Sequence, residues 1–88
     1  MVRIVYGNIF LKSSRKLPRK LKTKLADLIA NLQNNPFDRV LHTQYLSGQL
    51  AGLLSFRITR DWRVVFKFIE PDLIQLVEIA NRKDIYRK

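Results

Sequence analysis

The hydrophobic positions between residues 17 and 32 repeat with the 3.6-residue period of an α-helix. Five leucines keep this spacing: Leu17, Leu21, Leu25, Leu28 and Leu32. Pro18 suits the first helical turn, and Asn34-Asn35-Pro36 ends the pattern because the residue before a proline avoids the helical region. The sequence therefore predicts an amphipathic helix that starts at Pro18 and places its leucine stripe in the core.

Shorter patterns precede this helix. Val2 to Tyr6 is typical of a short strand, and Gly7-Asn8 breaks it. A first short helix then follows from about Ile9 to about Lys16. These patterns predict a strand followed by a two-helix hairpin.

The second half of the chain alternates between apolar and polar residues, which is the period of a β-strand. Alternating segments cover residues 53–58, 62–69 and 73–80, and the turns between them are Thr59-Arg60-Asp61 and Glu70-Pro71-Asp72. The segment Phe37 to Gly52 is predicted to be a loop. The order is β-α-α-β-β-β, so we expect one α+β domain over residues 1–88, with two helices on one face of a three-stranded antiparallel meander.

Composition and charge restrict the partners. The net charge is +10; residues 1–36 contribute +7 and residues 37–88 contribute +3. Such a basic surface attracts nucleic acid or an acidic protein. The chain has no cysteine and one histidine, which argues against disulfides and a structural zinc site. Without a long apolar run, we expect a cytoplasmic protein that does not bind a membrane.

Arginines stand among the apolar strand residues, where a charge needs a reason. We expect Arg57, Arg63 and Arg82 to converge on one face of the sheet, beside the phenol of Tyr86. Guanidinium groups bind phosphate through paired hydrogen bonds. The sequence thus predicts a phosphate site, and the ligand suggested is RNA or another polyanion.

An ordered set of residues resembles the RelE/ParE superfamily of bacterial toxins, particularly its RelE and YafQ branches. The set is Leu46-x-Gly48, Gly52, Phe56-Arg57, Asp61-Trp62-Arg63-Val-Val-Phe66 and Ile79-Ala-Asn-Arg82-x-x-x-Tyr86. The resemblance covers nearly the whole chain. It implies a metal-independent, cofactor-free endoribonuclease that cuts mRNA on the ribosome and so inhibits translation. It also implies an acidic antitoxin as partner, with operator DNA bound only through that antitoxin.

The resemblance also implies roles for individual residues. Arg63 and Arg82 match the family's catalytic arginines, and Arg57 is a looser third match. Tyr86 matches a C-terminal tyrosine that orients the attacking hydroxyl or stacks on a base. We further assign RNA or ribosome binding to six basic residues: Lys12, Arg15, Lys20, Lys24, Arg60 and Lys83.

The sequence departs from the family's pattern at the proton-transfer positions. One branch has a histidine where this chain has Gln44 and another where it has Arg82, while the other branch has lysines in the strand that here reads Leu-Ser-Phe-Arg. His42 lies two residues from Gln44, so in an extended segment both side chains share a face and the imidazole is a candidate acid or base. Two hypotheses stay open: an mRNA nuclease, and either a ParE-like toxin that binds gyrase or a catalytically decayed homologue that binds only its antitoxin.

Overall fold

A computed structural model describes the backbone of residues 1–87 and the side chains of residues 1–85. Its strands are β1 (Arg3–Tyr6), β2 (Gln44–Tyr45), β3 (Leu54–Arg57), β4 (Trp62–Glu70) and β5 (Leu73–Asn81). Its α-helices are α1 (Asn8–Ser14), α2 (Arg19–Asn34) and α3 (Arg82–Arg87), and two short 3₁₀ helices cover Arg39–Leu41 and Gly48–Leu50. The predicted α+β class, with a short N-terminal strand and a helical hairpin before the meander, is confirmed.

The sheet has the strand order β1-β5-β4-β3-β2. Strands β3, β4 and β5 form the predicted antiparallel meander. Two strands extend it: β1 pairs in parallel with β5, and β2 pairs antiparallel with β3. The prediction of a plain loop from Phe37 to Gly52 was therefore wrong, since β2 and both 3₁₀ helices lie within it.

The helices α1 and α2 cover one face of the sheet and are here called the helix layer. Leu25, Leu28 and Leu32 are buried against strand residues that include Phe56 and Phe66, so the leucine stripe lies in the core as predicted. The chain turns from β1 into α1 at Gly7, where a Cβ atom would approach the Leu76 carbonyl oxygen to 2.8 Å. Any larger residue there would push α1 away from β5.

The third helix lies on the opposite face and follows the predicted third strand directly. Strand β5 ends at Asn81, whose Oδ1 accepts a hydrogen bond from the Lys83 backbone N–H (3.0 Å) and so caps α3. Ile85 packs with Val65 and Ala80. The two predicted helices do share one face, whereas α3 was not predicted and packs on the other face against these apolar residues. No helix in residues 1–87 is long and apolar enough to cross a membrane.

Candidate active site

The β3–β4 hairpin places two arginines directly opposite each other. Its loop is closed by the Ile58 backbone N–H, which donates to the Trp62 carbonyl oxygen (2.9 Å). In this register Arg57 faces Arg63, and Ser55 faces Val65. Because alternate residues of a strand share a face, Ser55, Arg57 and Arg63 all lie on the side of the sheet away from the helix layer. We call this side the arginine face, and Arg57 with Arg63 the arginine pair.

Both members of the arginine pair are withdrawn from solvent. Arg63 is 4% exposed, and Arg57 is half-buried. Four of the buried polar atoms have no hydrogen-bond partner among the residues that the structure describes: Ser55 Oγ, Arg57 Nε, Arg63 Nε and Arg63 Nη1. Buried donors are nearly always paired in folded proteins, and an unpaired one costs about 1–3 kcal/mol.

An anion bound between Arg57 and Arg63 would remove two unfavourable contributions to the free energy of folding. Like charges directly opposite each other on a sheet repel, and unpaired N–H groups lack an acceptor. A phosphate oxygen supplies both a negative charge and an acceptor, in the geometry that guanidinium groups match best. The arrangement can therefore bind a phosphate and stabilise extra negative charge on it.

Arg82 lies outside the sheet, at the start of α3. Its backbone N–H donates to the Asp61 carbonyl oxygen (2.7 Å), which ties α3 to the β3–β4 loop. A pocket of about 500 Å³ is lined here by Asp61, Asn81, Arg82 and Lys83. Arg82 thus belongs to α3 and not to a strand of the sheet. That residue is exposed and stands at the same end of the hairpin, beside a carboxylate.

The remaining predicted catalytic residues are His42 and Tyr86. His42 ends the first 3₁₀ helix with a φ of 50°, so the extended segment that was expected to align it with Gln44 does not exist. The His42 side chain is exposed. Gln44 lies in β2 directly opposite Ser55, and is thus the residue of this segment that reaches the arginine face. The Tyr86 side chain lies outside the described residues.

The basic residues assigned to RNA or ribosome binding fall into two groups. Lys12 and Lys20 lie on the helix layer, as do Arg15 and Lys24, and all four are exposed. Arg60 is exposed in the β3–β4 loop, and Lys83 lines the pocket beside Arg82. The two groups therefore occupy different sides of the molecule.

Comparison with solved structures gives consistent matches over almost the full chain. The YoeB/ParE toxin from Agrobacterium tumefaciens has a TM-score of 0.78 at 21% identity, covering 92% of this chain and 99% of that one. YafQ from E. coli strain BL21(DE3) has the same TM-score and identity, covering 98% and 99%. A chain of the archaeal RelE–RelB complex from Pyrococcus horikoshii OT3 has a TM-score of 0.75 at 20% identity, covering 92% and 94%.

The chain has the RelE/ParE toxin fold. No protein-family profile and no curated protein matches its sequence. The chain therefore shares its fold with these three structures although only about one residue in five is identical to each.

Sequence reasoning missed three residues of the candidate site. Ser55 stands two residues before Arg57, so strand alternation alone places both on one face. Asp61 was interpreted as a turn residue, and Asn81, the last residue of β5, was given no role. An asparagine followed by Arg-Lys-Asp is a recognisable helix start, which was the available signal for α3 and for the pocket beside it.

Proposed function

We propose that this protein is the toxin of a toxin–antitoxin system and that it cleaves mRNA on the ribosome without a metal ion. The observation that supports this most is the arginine pair, whose buried N–H groups lack partners among the described residues. The RelE/ParE toxin fold supports the same class, since the matched structures include toxins and toxin–antitoxin complexes.

The reaction needs three events at one phosphate. The ribose 2′-oxygen attacks phosphorus and loses its proton, the phosphorane gathers negative charge, and the P–O5′ bond breaks as the 5′-oxygen gains a proton. A 2′,3′-cyclic phosphate and a 5′-hydroxyl result. Arg57 and Arg63 would stabilise the charge on the phosphorane, because their donors are already fixed and shielded from water.

The pocket beside α3 supplies the remaining groups. Asp61 and Arg82 line it together, so a carboxylate and a cation stand at the end of the hairpin that carries the arginine pair. In the proposed mechanism Asp61 accepts the 2′-hydroxyl proton, and Arg82 binds the phosphate or the departing oxygen. The solvent-exposed His42 is not required for this scheme.

The proposed antitoxin binds the helix layer. A groove of about 310 Å³ between α1 and α2 is lined by apolar side chains such as Phe10, Leu11 and Ile29 and is flanked by Arg15 and Lys22. An acidic, amphipathic segment matches both the apolar floor and the basic rims, and a disordered one would fold as it binds.

The test is primer-extension mapping of mRNA after the protein is induced in cells. Wild-type protein should produce breaks at a fixed codon phase, and Arg63→Ala should abolish them, whereas Arg19→Ala on the exposed face of α2 should not. Growth arrest without mRNA breaks, together with inhibition of DNA supercoiling by gyrase, would replace the nuclease with the ParE-like alternative.

A further inference from the structure

Three aromatic rings form a column at the β2 edge of the sheet. The Phe37 ring lies 6.0 Å from the Tyr45 ring with 27° between their planes, and 6.4 Å from the Phe68 ring with 19° between their planes. Aromatic pairs inside the core are arranged differently: Phe56 with Phe66 is tilted at 50°, and Phe66 with Phe68 at 67°. The near-parallel arrangement is therefore found in the two pairs that share Phe37, which lies outside the core cluster. We call Tyr45, Phe37 and Phe68 the aromatic column.

The outer rings of this column are largely uncovered. Tyr45 is 73% exposed and Phe37 is 50% exposed, whereas Phe68 is partly buried and packs against the core. Large aromatic side chains bury much of their surface in most folded proteins. Two neighbouring exposed rings thus mark a surface that is available to a partner.

The polypeptide holds these rings in place before any partner arrives. Tyr45 lies in β2 and pairs with Leu54 of β3. The Phe37 backbone N–H donates to Asn35 Oδ1 (3.1 Å), and the Thr43 hydroxyl donates to the Pro36 carbonyl oxygen (2.6 Å). The second bond connects the start of the loop to the residue before β2. A binding surface fixed in this way loses little conformational entropy on binding.

The geometry points to an unpaired RNA base as the partner, stacked on Tyr45 as a further layer of the column. A flat base continues a near-parallel stack, and such stacking is how proteins hold unpaired bases without reading their sequence. The charge of +10 selects a polyanion, and two exposed residues between the rings in sequence, Arg39 and His42, are available to the flanking phosphates.

The position of β2 connects the column to the proposed cleavage site, and the inference rests on that proposed function. Gln44 and Tyr45 are successive strand residues, so they face opposite sides of the sheet. Gln44 lies opposite Ser55 on the arginine face, and Tyr45 belongs to the column. A strand of RNA bound by the arginine pair would pass over this edge and place a nearby nucleotide, outside the one that is cut, on Tyr45.

The experiment measures binding of a short single-stranded RNA that carries 2-aminopurine, whose fluorescence falls when the base stacks. Tyr45→Ala should weaken binding about tenfold and remove most of the quenching, because one base stack is lost. Tyr45→Phe should bind within about twofold of wild type, since the ring is retained. The matched control is Ile9→Ala, which truncates another exposed apolar residue on the helix layer and should change nothing.

The salt dependence of RNA binding distinguishes a stacking contribution from an electrostatic one. The affinity of Tyr45→Ala should be lower at every salt concentration with an unchanged slope, because the residue neutralises no phosphate. Wild-type binding by Tyr45→Ala would overturn the inference, and so would equal losses in Tyr45→Phe and Tyr45→Ala. A loss confined to binding of an acidic protein partner would also overturn it and would assign the column to a protein interface.

Cleavage is measured separately so that the two proposals fail separately. Arg63→Ala should cut no mRNA yet show the same relative loss of RNA affinity when Tyr45→Ala is added. Stacking on Tyr45 without any ribosomal mRNA cleavage by the wild-type protein would remove the nuclease and leave the column. Normal cleavage combined with RNA binding that is indifferent to Tyr45 would remove the column and leave the nuclease.

Discussion

The buried guanidinium of Arg63 links stability and cleavage at a single residue. Its Nε and Nη1 lack partners among the described residues, and it faces a second cation across the hairpin. An apolar side chain of similar length removes both penalties. We expect Arg63→Met to have the same free energy of unfolding as wild type or one that is higher by up to about 2 kcal/mol, as measured by urea unfolding. Cleavage of mRNA should be lost.

The comparison variant for this experiment is Arg63→Lys. It keeps a charge but has no planar fork, so cleavage should fall steeply without a gain in stability. A marked loss of stability in Arg63→Met would show that the guanidinium supports the fold, contrary to the proposed role.

Arg82 should behave differently because its side chain is exposed. We expect Arg82→Ala to change the free energy of unfolding by less than about 1 kcal/mol and to abolish cleavage in a single-turnover assay. Thermal melting of the same preparation is the check. A large drop in Tm would assign Arg82 to the structure of α3.

Part of this residue-level arrangement could be predicted from the sequence. A short turn between two alternating segments places Arg57 near Arg63, and alternation adds Ser55 to the same face. The burial of Arg63 could not be predicted, because it depends on Ile85 of α3 and on the distant segment around Leu46, Leu50 and Leu53 packing on that face. The conformation of His42 depends on a 3₁₀ helix too short to leave a periodic signal.

At the scale of elements, α2 should carry much of the stability. Leu28 is buried against the sheet, so Leu28→Ala should cost about 2–4 kcal/mol through the lost contacts and the cavity left behind. Urea unfolding measures this directly. Lys24→Ala on the same helix is the control, since its side chain is exposed and its loss should stay within about 0.5 kcal/mol.

The elements that the sequence predicted are those with a local signal. The leucine stripe and the β3-β4-β5 alternation repeat over many residues, and both were recognised correctly. The strand β2 has two residues, too few to show an alternation of polar and apolar positions. The parallel pairing of β1 with β5 joins distant parts of the chain. The aromatic column was not predicted either, because Phe37, Tyr45 and Phe68 come from three separate segments.

At the scale of the whole molecule, the basic residues of the helix layer and those of the arginine face should have different effects on ribosome binding and on mRNA cleavage. Replacing Lys20 and Lys24 with Gln should weaken ribosome binding and flatten its salt dependence by up to about two units of slope, because two phosphate contacts are lost. Turnover of bound complexes should persist, since these lysines lie on the helix layer and not on the arginine face. Ribosome affinity at several salt concentrations, measured beside single-turnover cleavage, tests this.

A substitution on the arginine face should have the opposite effects on ribosome binding and on cleavage. Arg63→Ala should keep most ribosome affinity and lose cleavage. If the lysine variants lost turnover while Arg63→Ala kept it, the active site would lie on the helix layer.

The parallel pairing of β1 with β5 bears on when this protein can fold during its own synthesis. Arg3 aligns with Leu73, 70 residues later, so the first strand has no partner until the last strand has been made. Such long-range closure is slow, because the entropy of ordering the intervening chain is lost before the contact forms. The nascent chain must therefore stay incompletely folded, with β1 unpaired, until β5 has been made. A protein with the proposed activity would acquire it only after its ribosome had synthesised β5.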